Sequence, residues 1–175
     1  MTPDAYKAAK VVSGVRNPDN WCRAVGIAPD TDKSYSSGRL PVSPKTTAAV
    51  EELVRRQREV AGKLVEILQR ELEASRVDID SKSLNISISF PSGHNAMARN
   101  DGLDTMNGWP MFSVGPDHRP LAVFVFSPVP RHLQNLHGVG SAWFLWRGKF
   151  AKRGVVQNDW NAPTKDLLQQ ALSRS

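Results

Sequence analysis

The sequence predicts an α+β protein with an N-terminal all-helical module, a long linking helix and a small C-terminal mixed α/β unit with antiparallel strands. Three observations predict it. Residues 1–43 are cut into short helical stretches by Pro at their starts and Gly at their ends. From Pro44 onward a long apolar stripe repeats at about 3.5 residues, the period of a packed helix. Beyond Ser75 the period falls to two, the period of strands. The expected division is residues 1–74 and residues 75–175.

Each helix carries its own start and stop. Thr2 to Gly14 places Tyr6, Ala9 and Val12 on one face, with Pro3 in the first turn and Gly14 at the end. Asn17 is a good N-cap, Pro18 suits the first helical position, and Trp21, Cys22 and Val25 form the apolar side before Gly26. Pro29 and Asp30 favour a third helix start, and that helix runs to Gly38. After the connection Arg39-Leu40-Pro41-Val42, Ser43 caps and Pro44 opens the longest helix, expected to reach about Ala74.

The stripe on that helix comprises Val50, Leu53, Val54, Val60, Ala61, Leu64, Ile67, Leu68 and Leu72, with Gln57 as its one polar interruption. It suits either the core of the same chain or a seam with a second copy, in which Gln57 would fix register.

Three strands follow. Leu84 to Phe90 alternates apolar and polar residues and reads as half-buried; Leu121 to Phe126 is continuously apolar and reads as central; Ser141 to Trp146 is the third. The segment from Pro91 to Pro120, rich in Gly, Pro, Asn and Asp, is expected to be a long loop. A final helix is expected from Pro163 to Leu172, and no internal repeat is visible.

Composition narrows the function classes. Hydrophobic residues make up 40% of the chain, and no apolar run approaches the roughly 20 residues of a membrane span. The N-terminus MTPDAYKAAKVV has no secretory pattern, so a cytoplasmic protein is expected. Cys22 stands alone, which excludes an internal disulfide and a multi-thiolate zinc site; it reads as a small buried side chain. The net charge of +6 favours a polyanionic partner without naming one, because the excess is spread over both halves.

The N-terminal pattern, MTPDAYKAAKVVSG followed by NPDNWCRAVGIAPDTDKSYSSGR, resembles the Cro-type (XRE) helix-turn-helix family of DNA-binding regulators. Trp21-Cys22 and Val25-Gly26-Ile27, the Pro-initiated helix ending at Tyr35, and the Pro-containing exit carry the likeness. The resemblance implies a dimeric repressor of bacterial, phage or plasmid origin acting on double-stranded DNA, without a cofactor and without catalysis. It places Pro29, Asp30, Thr31 and Ser34 toward base edges, with Lys33 and Arg39 toward phosphates. Asp32 departs from the family, which has an aliphatic residue there. Three outcomes are open: a rotated helix, local capping or pairing, or a second negative charge beside Asp30 facing the duplex. The last would favour the alternative of an adaptor or inhibitor that uses the same shape against protein.

Two further constellations bear on chemistry. Ser92-Gly93-His94, with Arg131 six residues before His137, resembles motifs of the phosphatidic acid phosphatase family, and Lys33 and Arg39 could supply its first motif. The acidic residue after His137 is missing, with Ser141 in its place, and the preceding segment alternates like a strand where that family has helices. His94, His118, His132 and His137 have no Asp or Glu at a ligand spacing, so no metal site is expected. Arg147, Lys149, Lys152 and Arg153 lie among Trp143, Phe144, Trp146 and Phe150; this reads as a solvated face or as a stacking surface for nucleic acid.

Overall fold

The computed structural model describes residues 1–71, 74–105, 108–116, 122–128 and 141–147. Four helices, α1 (Pro3–Ser13), α2 (Pro18–Val25), α3 (Pro29–Ser37) and α4 (Pro44–Glu71), precede six strands. The strands are β1 (Arg76–Ile79), β2 (Ile86–Ser89), β3 (Asn95–Leu103), β4 (Pro110–Gly115), β5 (Ala122–Pro128) and β6 (Ser141–Arg147). The architecture is α+β, as the sequence predicts.

Local chemistry sets the helix boundaries. The Thr2 hydroxyl accepts from the Ala5 N–H at 3.2 Å, and the Asn17 side-chain Oδ1 from those of Asp19 and Asn20 at 2.8 and 3.3 Å. The Ser43 hydroxyl oxygen accepts from the Thr46 N–H at 3.1 Å, so three of the four helices satisfy exposed first-turn donors with a side chain. Only α3 starts without one, at Ala28. A cap of this kind stabilises a helix by about 1 kcal/mol.

The helices α1, α2 and α3 close over one cluster: Tyr6, Ala9, Val15, Trp21, Cys22, Val25, Tyr35 and Val42 with Val50 and Leu53 of α4. Tyr6 sits edge-on to both Trp21 and Tyr35, with ring centroids 5.6 and 5.7 Å apart. The second cluster joins Val60, Ala61, Leu64 and Leu68 of α4 to Ile86, Ile88, Ala96, Ala98, Phe112, Val114, Phe124 and Phe126 of the sheet. The described side chains of the α4 stripe are therefore spent inside their own chain, those of its first turns on the helices and those of its later turns on the sheet. The seam reading of that stripe gives way to the core reading. Gln57 is fully buried where the two sets meet, and its amide donates to the Gly102 carbonyl at 2.8 Å while its Oε1 has no partner.

The sheet is an antiparallel meander in the order β1-β2-β3-β4-β5-β6. The expected strands 84–90, 121–126 and 141–146 appear as β2, β5 and β6, each within a few residues. The expected loop from Pro91 to Pro120 is corrected: it contains β3 and β4, paired from Met97↔Gly115 to Leu103↔Pro110. Ala96, Ala98, Asn100 and Gly102 alternate inward along β3, and none of them is a strong strand former. Pairing with β2 and β4 supplies what propensity lacks. The expected helix 163–172 lies outside the described residues, as do residues 148–153 of the basic aromatic stretch.

A bulge fixes the helices to the sheet. Register shifts between Asn100 and Gly102. The buried Asn100 side chain donates to the carbonyls of Val12 at 2.8 Å and Ser83 at 3.2 Å, and accepts from the Gly102 N–H at 3.1 Å. Gly14 and Gly102 both have positive φ, and a Cβ on Gly14 would lie 2.4 Å from Asn100 Oδ1. Only glycine permits that approach.

Candidate nucleic-acid interface

Helices α2 and α3 are joined through Gly26, Ile27 and Ala28, with Gly26 in the left-handed conformation. Helix α3 then presents two unlike faces. Asp32 and Tyr35 are each 7% exposed and face the helical cluster. Pro29, Asp30, Lys33, Ser37 and the following Arg39 are exposed, with Thr31 and Ser34 half-buried beside them. All six positions singled out in the sequence, Pro29, Asp30, Thr31, Lys33, Ser34 and Arg39, thus fall on one helix or just past its end.

The inward face resolves the departure at Asp32. Its carboxylate accepts from Lys10 Nζ at 2.8 and 2.7 Å and from the Tyr6 hydroxyl at 2.8 Å, and that hydroxyl accepts from Trp21 Nε1 at 2.8 Å. Lys10 Nζ also lies 5.5 Å from the centroid of the Trp21 ring and 5.8 Å from that of Tyr6. One residue of α1, one of α2 and one of α3 are tied through a single phenol. The negative charge of Asp32 is turned inward and paired, so local pairing is the outcome observed, and the added charge toward a duplex is not. Burial, foremost, holds the Tyr6 phenol well above the usual tyrosine range. Burial also pushes the Cys22 thiol up, and the Asp32 carboxylate adds to that. A neutral, enclosed thiol of this kind is inert, in line with its sequence reading.

The outward face is polar and built from short side chains. Lys33 Nζ stands 3.4 Å from Asp30 Oδ1, an exposed pair of little strength. The Ser34 hydroxyl donates to the Asp30 carbonyl at 2.9 Å and that of Ser37 to the Ser34 carbonyl at 3.2 Å. Arg39 Nε donates to the Ser37 hydroxyl at 3.2 Å, which draws the arginine alongside the helix end. Ser37 is the residue that sequence reasoning passed over. Its spacing from Asp30 and Ser34, two helical turns and one, was the available signal.

The other constellations look different in three dimensions. Phe90 to His94 forms the turn between β2 and β3, with the Phe90 N–H donating to the His94 carbonyl at 2.9 Å and that of Gly93 to the Phe90 carbonyl at 3.0 Å. Ser92, Gly93 and His94 are exposed on that hairpin, whereas Lys33 and Arg39 belong to the helical module. Arg131, His118, His132 and His137 lie outside the described residues. Among the described residues no three His, Cys, Asp or Glu side chains converge, and no helix is long and apolar enough to cross a membrane.

The chain matches no known protein family, no curated protein and no solved structure.

Proposed function

We propose that the protein is a sequence-specific DNA-binding transcriptional regulator, acting as a repressor, with α3 laid in the major groove. The observation that carries this reading is the division of α3: Asp32 and Tyr35 hold it to the helical cluster while Asp30, Lys33 and Ser37 face outward. A groove admits one helix, and short polar side chains let its backbone come close to base edges.

In this reading Asp30 accepts from a cytosine amino group, Thr31 and Ser34 line the approach, and Pro29 starts the helix without an N–H to satisfy. Lys33 and Arg39 contact phosphates, and the weak Asp30 to Lys33 pair gives way to those contacts at small cost. A second reading, docking against protein, draws on the exposed Asp30 carboxylate in the first turn of α3. A cationic protein surface would suit that carboxylate better than a phosphate backbone does.

Selection of bound duplexes from a random pool at low salt tests the proposal. Enrichment of a defined site supports it. A pool that stays random both at about 50 mM salt and at about 150 mM salt, where the sequence-independent phosphate contribution is weaker, overturns it.

A further inference from the structure

The outer edge of the sheet is written in a self-complementary way. Among the described residues strand β1 pairs with β2 alone, from Arg76↔Ser89 to Ile79↔Ile86, so its other side faces no described strand. The Asp80 N–H donates to the Asn85 carbonyl at 2.9 Å, which sets the phase of the ladder. Alternate residues of an antiparallel strand direct their N–H and C=O to opposite sides. Arg76, Asp78 and Asp80 therefore bond toward β2, and Val77 and Ile79 direct theirs to the open edge.

The side chains at this edge are unevenly satisfied. Ile79 is 42% exposed, one of the most exposed large apolar side chains described. Val77, Ala74 and Val65 are half-buried and pack on the rim of the core between α4 and the sheet. On the opposite face Arg76 and Asp78 form an ion pair along the strand, with side chains 74% and 53% exposed.

We propose that a second copy of this chain pairs with the β1 edge, antiparallel, about a two-fold axis through Val77. At that axis the N–H and C=O of Val77 bond reciprocally with those of Val77 in the second copy. Arg76 then stands opposite Asp78 of the other copy, and Asp78 opposite its Arg76, in the closely spaced pairing where cross-strand charges interact best. The neighbouring registers each bring like charges together. An axis at Asp78 sets that carboxylate against its own copy at the centre, with Arg76 opposite Asp80 on either side, and an axis at Ile79 sets Asp78 against Asp80. Edge strands are commonly blunted by charge; here opposite charges two residues apart favour the register centred on Val77, the one of these three that forms opposite-charge pairs without a like-charge pair. The same pairing covers Val77 and Ile79, joins two sheets into one, and leaves α3 out of the contact. It is separable from the DNA reading, since assembly is measured without DNA.

Light scattering on the eluting full chain, with sedimentation to obtain the dissociation constant, tests the proposal. Wild type should run at twice the 19.3 kDa chain mass. Arg76→Asp and Asp78→Arg each place like charges at both symmetric positions and should weaken the dimer on the order of tenfold or more. The double variant restores opposite charges and should recover the dimer. An equimolar mixture of the two single variants should form a heterodimer, because each junction then pairs an acidic with a basic side chain. A wild-type chain that is monomeric at about 100 μM, where weak edge pairing should be populated, overturns the proposal. So does a dimer indifferent to both single substitutions.

Discussion

Lys10 of α1 and Asp32 of α3 meet at 2.7 Å beneath the surface of the helical module, with the Tyr6 hydroxyl on the same carboxylate. That contact ties the inward face of α3 to α1. An aliphatic residue at position 32 would hold the helix by burial alone; the carboxylate holds it by position, through donors on α1 that are themselves packed against Trp21.

Removing one partner should therefore cost more than removing both. We expect Asp32→Ala to destabilise the fold by about 3 kcal/mol, because Lys10 and the Tyr6 hydroxyl lose their acceptor while partly enclosed. Asp32→Leu combined with Lys10→Met should recover most of that loss. The coupling between the two sites, read from urea denaturation of the single and double variants, should be about 1 to 3 kcal/mol.

The Tyr6 phenol gives the fold an alkaline limit. Burial favours its neutral form in the folded state, so the unfolded chain ionises first as pH rises. Its contribution is complete below the ordinary tyrosine value of about 10 and is lost as pH climbs toward the folded phenol's own, higher value. Tyr6→Phe should cost about 1 to 3 kcal/mol at neutral pH, by leaving Trp21 Nε1 and Asp32 short of a partner. The gap between the two proteins in denaturant midpoint should narrow above pH 10 or so.

The glycines divide into two classes. Gly14→Ala and Gly102→Ala meet Asn100 and the Gly14 backbone at 2.4 and 2.8 Å, besides a left-handed backbone, and each should cost about 3 kcal/mol or more. Gly26→Ala has open space around it and should cost only the backbone strain, about 1 kcal/mol. Thermal melts of the three variants distinguish them.

Asp30 should act on specificity more than on stability. Its side chain is 95% exposed, so Asp30→Ala should leave the fold within about 0.5 kcal/mol of wild type. In a binding assay it should raise affinity for unrelated duplexes, by removing a negative charge from the groove side, and lower discrimination at a cytosine position.

Much of this was legible in the sequence, for reasons that are local. Pro3, Pro18, Pro29 and Pro44 open the four helices and Gly14, Gly26 and Gly38 close the first three, because φ is restricted at the one and freed at the other. β2 and β5 announced themselves by alternation and by a run of Val and Phe. What was illegible depends on distant partners. β3 hides because Asn100 and Gly102 face inward, where their value lies in reaching Val12 and in letting Gly14 approach. β1 is four residues long and carries Arg76 and Asp78, so its pattern is lost among charges. The role of Asp32 rests on Lys10 and Tyr6, more than twenty residues away, and no spacing rule connects them.

The proposed reading of duplex DNA by the outward face of α3 is checked by the salt dependence of binding to a selected duplex. Log affinity should fall linearly with log salt, and Arg39→Ala should weaken binding evenly across sequences while making the slope shallower by about one. An affinity that does not change with salt, or that survives combined substitution of Asp30, Lys33 and Arg39 by alanine, would contradict it.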